Sequence, residues 1–486
     1  MPIRTGADYL ESLRDDRHVS IDGERVEDVT TDPRFAGAAQ TMAELLDLQH
    51  DADLIDTMTF ASPATGDKVG MTHIIPGSAE DVIARNWAIE VWMEYSCGML
   101  GRSPDYKNMF ISAYAAAADN LKRDSFDGSD NIRNYHKYIR ENDQVITHAL
   151  VNPQVDRSHP AHLETSDIVA HITKETDAGI HIQGARMVAT LCGMANELLV
   201  MPAASRWPTD TKIDTTAYSF GFAIPLSTPG LRFICRPPVA HTDAGSAADY
   251  PLAAKYDESD GLVIFDDVFV PWERVFIYRD PDYDILINEE AFIAPNMLMQ
   301  SVVRAESKSK FMMALTMAIA RASKIDVHVP VQVQIAESMA IAEFVRTCRI
   351  AAEAECWETP VGYWAAGIRP LMVWQNMFWK MYNRQCEILN TLAAGGMVAV
   401  PSFAEVAGEL KENVETYFQS ANLDSPTRIK LLRLAYDASL SSFAGRQRLY
   451  EQFYTGDPMR TQSRYFNTFN VDEHVDRIHT MLDGLG

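Results

Sequence analysis

The chain has 486 residues, of which 47% are hydrophobic and 23% charged, and a formal net charge of −24. That length exceeds one ordinary core, so two or three domains are expected. The acidic balance, with no basic run and no stretch of eighteen apolar residues, argues against a nucleic-acid partner and against a membrane span.

Residues 1–150 read mainly as a helical domain. IARNWAIEVWMEYSCGML (83–100) and DYKNMFISAYAAAADNLKR (105–123) carry apolar residues at helical spacing. Before the second of these, Ser103 is a natural N-cap, with Pro104 at the first helical position and Asp105 in the first turn. From about 151 to 280 the texture changes to short segments rich in β-branched and aromatic residues: ELLVMP (197–202), SFGFAIPL (219–226), LRFICRPP (231–238) and LVIFDDVFVPW (262–272). Turn formers such as STPG, HTDAGS and DESDG separate them, which predicts a β-domain. Residues 281–486 return to long helices over 296–322, 331–358, 371–394 and 429–445. Several are apolar around much of their circumference, as in a bundle or at a subunit contact.

The N-terminal MPIRTGADYLESLRDDR is polar and mixed in charge, unlike a signal peptide, so a cytoplasmic location is expected. Six scattered cysteines without a C-x-x-C pair read as reduced thiols, and no metal site is expected. His159 and His162 stand at a ligand spacing but flank a proline with no recognisable partner, which favours a solvated turn. There is no Gly-rich dinucleotide or phosphate loop, no H-E-x-x-H and no G-x-S-x-G.

Three stretches carry a resemblance: GRSPDYKN (101–108), THALVNPQVDRS (147–158) and SFAGRQRLYEQFYTGDP (442–458). Together with RTGADYLES onward at 4–33 and GIHIQGARMVAT (179–190), they resemble the 4-hydroxyphenylacetate 3-monooxygenase oxygenase family nearly end to end. VIFDDVFVPWERVF (263–276) also resembles the strand before the bundle in acyl-CoA dehydrogenases. The resemblance implies an acyl-CoA-dehydrogenase-like fold: a mainly α chain with an N-terminal helical domain, a central β-barrel and a C-terminal four-helix bundle, assembled as a homotetramer. It implies FADH2 delivered by a separate NAD(P)H-dependent flavin reductase, O2 as co-substrate, and a C4a-hydroperoxyflavin that hydroxylates a phenol ortho to its hydroxyl. The substrates of such enzymes include 4-hydroxyphenylacetate, halophenols and tyrosine- or coumarate-type phenols, some tethered to carrier proteins.

By match to the family's motifs, Arg102, Tyr106 and His148 surround the phenol oxygen, and His148 takes the phenol proton or stabilises the phenolate. The residues support that chemistry, because the start of a helix favours an anionic oxygen and a phenol of pKa about 10 needs a cation or a base to ionise. Arg157 and Arg446 are candidates for the flavin pyrophosphate, Thr190 for the isoalloxazine, and Gly445 for a close backbone approach, with Asn152 and Gln154 in the same cofactor-binding loop. AASRWPTDTK (203–212) resembles the substrate-side loop, and small Ala203 and Ala204 imply a roomier, less polar pocket. Taken singly, each residue also has a structural explanation: a surface ion pair for Arg102, core packing for Tyr106 and an interior hydrogen bond for His148.

Three rival readings stand against this one. A 4-hydroxybutyryl-CoA dehydratase shares the fold but needs a Cys-x-x-x-Cys cluster pair where this chain has Arg102-x-x-x-Tyr106. An acyl-CoA dehydrogenase lacks motif support here. A non-catalytic helical assembly protein would have no flavin affinity.

Overall fold

The computed structural model describes residues 2–156, 158, 168–202, 215–239, 247–281 and 283–485. Long helices and two principal sheets make up the chain. The six-stranded sheet runs, edge to edge, Glu24–Val26, His18–Ile21, Leu231–Cys235, Asp260–Pro271, Gly179–Thr190 and His171–Thr176. Its pairs are antiparallel except His18–Ile21 with Leu231–Cys235, which is parallel. The four-stranded sheet runs Val275–Tyr278, Phe220–Pro225, Glu197–Val200 and Ile146–Ala149, and its last pair is parallel.

The four segments expected as strands all contain strands, and in Leu231–Cys235 the residues Leu231, Phe233 and Cys235 face the core while Arg232 and Ile234 face out. The expected barrel is a different matter. Among the described residues neither sheet closes on itself, so the supported architecture is a mainly helical chain with two sheets. The separation has a local cause: Gly179–Thr190 ends at Leu191, which is left-handed at φ 68°, and the chain then crosses to the second sheet at Glu197.

After residue 290, helices Ile293–Ala322, Val329–Ala354, Ile368–Val398 and Ser425–Ser439 pack side by side. Ile293–Ala322 buries Met299, Val302, Val303, Met312 and Leu315, but also Arg304 and Lys308, so it is enclosed on most of its circumference. The apolar pattern over 429–445 predicts one helix, yet the chain forms two, Ser425–Ser439 and Ser442–Phe453. Ser441 explains the break: its hydroxyl accepts from the Ala444 amide at 3.2 Å and caps the second helix. That redirection aims residues 446–454 back towards residues 98–106. Among the described residues no helix is long and apolar enough to cross a membrane.

Candidate active site

The helix Asp105–Ala116 begins one residue later than the Ser-Pro-Asp pattern predicts. Pro104 occupies the cap position, and the Ser103 side chain makes no capping bond. The Ser103 carbonyl accepts from the Tyr106 amide at 3.2 Å, which closes a tight first turn. Burial pushes the Asp105 carboxyl up to about 6, against the pull of the Ser103 and Gln300 side chains.

The loop ahead of this helix is held by one carboxylate. Glu258 Oε1 accepts the amides of Gly101 at 2.8 Å and Arg102 at 2.5 Å. The Arg102 side chain is buried, donates from Nη1 to the Tyr450 hydroxyl at 2.7 Å, and lies 4.1 Å from the Tyr106 ring centroid and 4.8 Å from that of Tyr454. Its Nε has no hydrogen-bond partner among the described residues.

His148 sits in strand Ile146–Ala149, opposite Leu199, with its ring 5.8 Å from that of Tyr106. Its Nδ1 is buried with no partner among the described residues. Burial first, then the charges of Lys107 and Arg102, hold its pKa well below the usual imidazole range, so the ring is neutral. The structure therefore brings Arg102 and His148 close to the ring of Tyr106.

Thr190, Arg446 and Gly445 lie on a second cluster joined to the first. Thr190 donates its hydroxyl to Asp260 Oδ1 at 2.7 Å, and Arg446 grips Asp260 through Nε at 2.6 Å and Nη2 at 2.8 Å. Arg446 Nη1 also lies 3.4 Å from Glu258 Oε2, so Glu258 links the Arg102 loop to the Arg446 helix. Thr147 donates to the Thr190 carbonyl at 2.5 Å, which ties the strand of His148 to the same cluster. Arg446 thus has its fork on a carboxylate rather than open to a phosphate. Gly445 is exposed, and a Cβ there would meet no atom of the chain within 4 Å, so no close approach within the chain demands glycine. Asn152 is half-buried with Oδ1 lacking a partner among the described residues, and Gln154 is exposed. Arg157, Ala203 and Ala204, like His159 and His162, lie outside the described residues.

Sequence reasoning missed Glu258, Asp260, Lys107, Tyr450 and Tyr454. A signal for the tyrosines was present, because Arg446, Tyr450 and Tyr454 recur at four-residue spacing on one helical face. DESDG reads as a turn, and nothing in it reveals that its two outer carboxylates and Glu258 receive arginines and amides from distant segments.

The profile of the 4-hydroxyphenylacetate 3-hydroxylase N-terminal region matches residues 5–277, and that of the C-terminal region matches residues 289–483. The chain belongs to the 4-hydroxyphenylacetate 3-hydroxylase family. Within that family it is 37% identical over 485 residues to the 4-hydroxyphenylacetate 3-monooxygenase oxygenase component of Thermus thermophilus, covering 99% of this chain and 97% of the relative. It is similar to a crystal structure of such an oxygenase component complexed with FAD and 4-hydroxyphenylacetate, with a TM-score of 0.92, 37% identity, and 99% and 98% of the two chains covered. An archaeal 4-hydroxybutyryl-CoA dehydratase matches with a TM-score of 0.88 at 20% identity, covering all of this chain and 95% of that one, which shows a shared fold alone.

Gly101 gives this family member a direct test of site geometry. A Cβ at Gly101 would stand 1.8 Å from the Tyr450 hydroxyl oxygen and 2.4 Å from Cζ, so Gly101→Ala must swing Tyr450 away and break its bond to Arg102. Gly101→Ala is expected to lower turnover by about tenfold, the scale of one lost hydrogen bond to a charged group. Steady-state kinetics with far-UV circular dichroism as a folding control checks this, and unchanged turnover removes Tyr450 from the positioning of Arg102.

Proposed function

We propose that this chain is the oxygenase component of a two-component aromatic monooxygenase, hydroxylating a phenol ortho to its hydroxyl. The observation that carries the reading is a buried site in an acidic protein whose guanidinium, Arg102, is not paired with a carboxylate through its side chain among the described residues. Arg102 and Lys107 flank Tyr106, no carboxylate bonds to either side chain among the described residues, and neutral His148 faces them. Such a pocket favours an anionic oxygen and stabilises phenolate over phenol.

FADH2 from a separate flavin reductase supplies, with O2, the electrophilic oxygen atom. The described residues fit such a group in part. Asn152 Oδ1 and Arg102 Nε are buried polar atoms without partners among the described residues, and Thr190 stands beside the Arg102 loop through Asp260 and Glu258. We assign the flavin to Asn152, Gln154, Thr190, Gly445 and Arg446, with Arg446 acting at least by holding Asp260 and hence Thr190.

The chain's own groups then act on the substrate. Arg102 binds the phenolic oxygen and keeps it anionic, Tyr106 orients it by hydrogen bonding, and His148 offers Nδ1 as a further partner. Charge on that oxygen raises electron density at the ortho carbon, which is what electrophilic oxygen attacks. Burial of the surrounding groups excludes the water that would otherwise discharge the oxidant as hydrogen peroxide. We further propose a homotetramer, and a substrate bulkier than 4-hydroxyphenylacetate on the ground of Ala203 and Ala204.

A panel of phenols, assayed with a generic flavin reductase, NADH, FAD and oxygen, tests the reading. Catechol formation coupled to NADH consumption is expected for at least one phenol. A protein that neither binds reduced FAD nor forms catechol from any of them defeats the reading. Exclusive turnover of 4-hydroxyphenylacetate defeats only the bulkier-substrate part.

A further inference from the structure

Lys107 follows Tyr106 in the first turn of its helix, and its side chain is 1% exposed. Its nitrogen lies 4.5 Å from the Tyr106 ring centroid and 4.4 Å from that of Phe110, and no hydrogen-bond partner reaches it among the described residues. Lys308, also fully buried, shows what is missing here. Lys308 donates to Glu451 at 2.5 Å and to Gln447 at 2.6 Å. The groups facing Lys107 are Arg102 from the preceding loop, Tyr106 and Phe110 from its own helix, and His148 from strand Ile146–Ala149. Among the described residues, aromatic faces, a neutral imidazole and a repelling guanidinium surround the side chain, and burial with the Arg102 charge pushes its pKa well below the usual lysine range, which favours the free amine with its lone pair.

We propose that Lys107 is the base that takes the proton of the bound phenol, leaving the phenolate between its ammonium and Arg102. The inference rests on the phenol-hydroxylase reading above and deepens it. In the step the phenol O–H bond breaks and its electron pair stays on oxygen. The proton forms an N–H bond at Lys107 Nζ, so the pocket with its ligand keeps the same net charge and no proton enters solvent.

The amine is the better-matched acceptor of the two bases present. Ordinary reference values are about 10.4 for lysine, about 10 for a phenol and about 6.5 for histidine. Transfer from phenol to amine is therefore nearly balanced, whereas transfer to imidazole is disfavoured by roughly three powers of ten. Burial and the Arg102 charge lower both bases. Once formed, the ammonium is paired with the phenolate, whose charge offsets burial and the Arg102 repulsion that lower the basicity of the amine. His148 remains a hydrogen-bond partner.

The experiment uses 4-nitrophenol, whose phenolate is coloured, at a pH where the free probe is protonated. Binding to the full chain is followed by the phenolate band, and protons released to a lightly buffered solution are counted with a pH electrode. Wild type is expected to bind the probe as phenolate with close to no proton released per site. Lys107→Arg introduces a fixed cation that cannot accept a proton, so it should bind phenolate and release about one proton per site. Lys107→Met should bind the probe as neutral phenol. Release of about one proton per phenolate by wild type overturns the proposal whatever becomes of the variants. Ionisation without release in either variant also overturns it and transfers the role to His148. If these counts fail while wild type still forms catechol with FADH2 and O2, only the Lys107 assignment falls. If wild type binds no phenol and forms no catechol, the phenol-hydroxylase reading falls with it.

Discussion

Arg102→Ala is expected to lower coupled ortho-hydroxylation by about 10²–10³-fold, the scale of removing one preorganised charge-stabilising donor from an active site. Reduced flavin should still be consumed, with its electrons appearing as hydrogen peroxide. The backbone of residue 102 should stay in place, because Glu258 holds the amides of Gly101 and Arg102, and neither bond involves the side chain that is removed. What disappears is the guanidinium bonded to Tyr450 and stacked on Tyr106 and Tyr454. Its charge also depresses the basicity of His148 and Lys107, so both become easier to protonate in the variant. The residual activity should therefore lose its low-pH limb at a higher pH than wild type does. Arg102→Lys restores a point charge without the planar fork and should recover only part of the coupling. Product and peroxide yields measured together decide the matter. Full coupling in Arg102→Ala would remove this residue from the chemistry.

The part of this site visible in sequence is the part written locally. Ser103-Pro104-Asp105 announces a helix start, and that start places Arg102 and Tyr106 side by side whatever the rest of the fold does. Arg102's actual partners are 156 and 348 positions away, at Glu258 and Tyr450, and no periodicity encodes such meetings. The same division runs through the fold. A short strand such as Leu231–Cys235 follows from alternation and turn formers. The parallel pairing of His18–Ile21 with Leu231–Cys235 does not, since more than two hundred residues lie between them. Two sheets rather than one closed barrel is a consequence of such long-range pairings. Residues 429–445 carry an unbroken apolar rhythm, and only the Ser441 cap turns it into two helices. Arg446 illustrates the limit for single residues: a guanidinium suited to phosphate is equally suited to a carboxylate, and Asp260 is the group that reaches it.

Glu451→Gln should be the most destabilising single change near the site. Glu451 is buried and receives both Arg304 nitrogens, at 2.6 and 2.8 Å, and Lys308 Nζ at 2.5 Å. One carboxylate thus serves two buried cations, and removing its charge leaves both uncompensated, at a cost of about 3–5 kcal/mol. The wild-type pH dependence follows from the same pairing. Burial would raise the Glu451 carboxyl, but Arg304 and Lys308 overcome it and pull the group down to about 2. An unfolded glutamate titrates near 4.3. The bridge therefore contributes its full stability above about pH 4.3 and loses it as pH falls towards 2, and the variant should show no such loss in that window. Lys308 also makes stability rise with pH, but in a higher window and by relief of a penalty. Burial lowers it to about 8, so its protonated form is a penalty on the folded state below 8 that is relieved as pH rises from 8 towards 10.5. Without Glu451, which raises it, Lys308 should fall further, and the variant should gain stability with pH across the neutral range. Lys308→Met added to Glu451→Gln removes one stranded cation and should recover part of the loss. The effect should also reach catalysis, because Arg304 lies 4.6 Å from the Tyr454 ring that stacks on Arg102. Thermal melting of the three proteins at neutral and acid pH checks the argument. A Glu451→Gln protein that melts with wild type at neutral pH would show that the two cations find other compensation and that the triad does not hold this helix against the site.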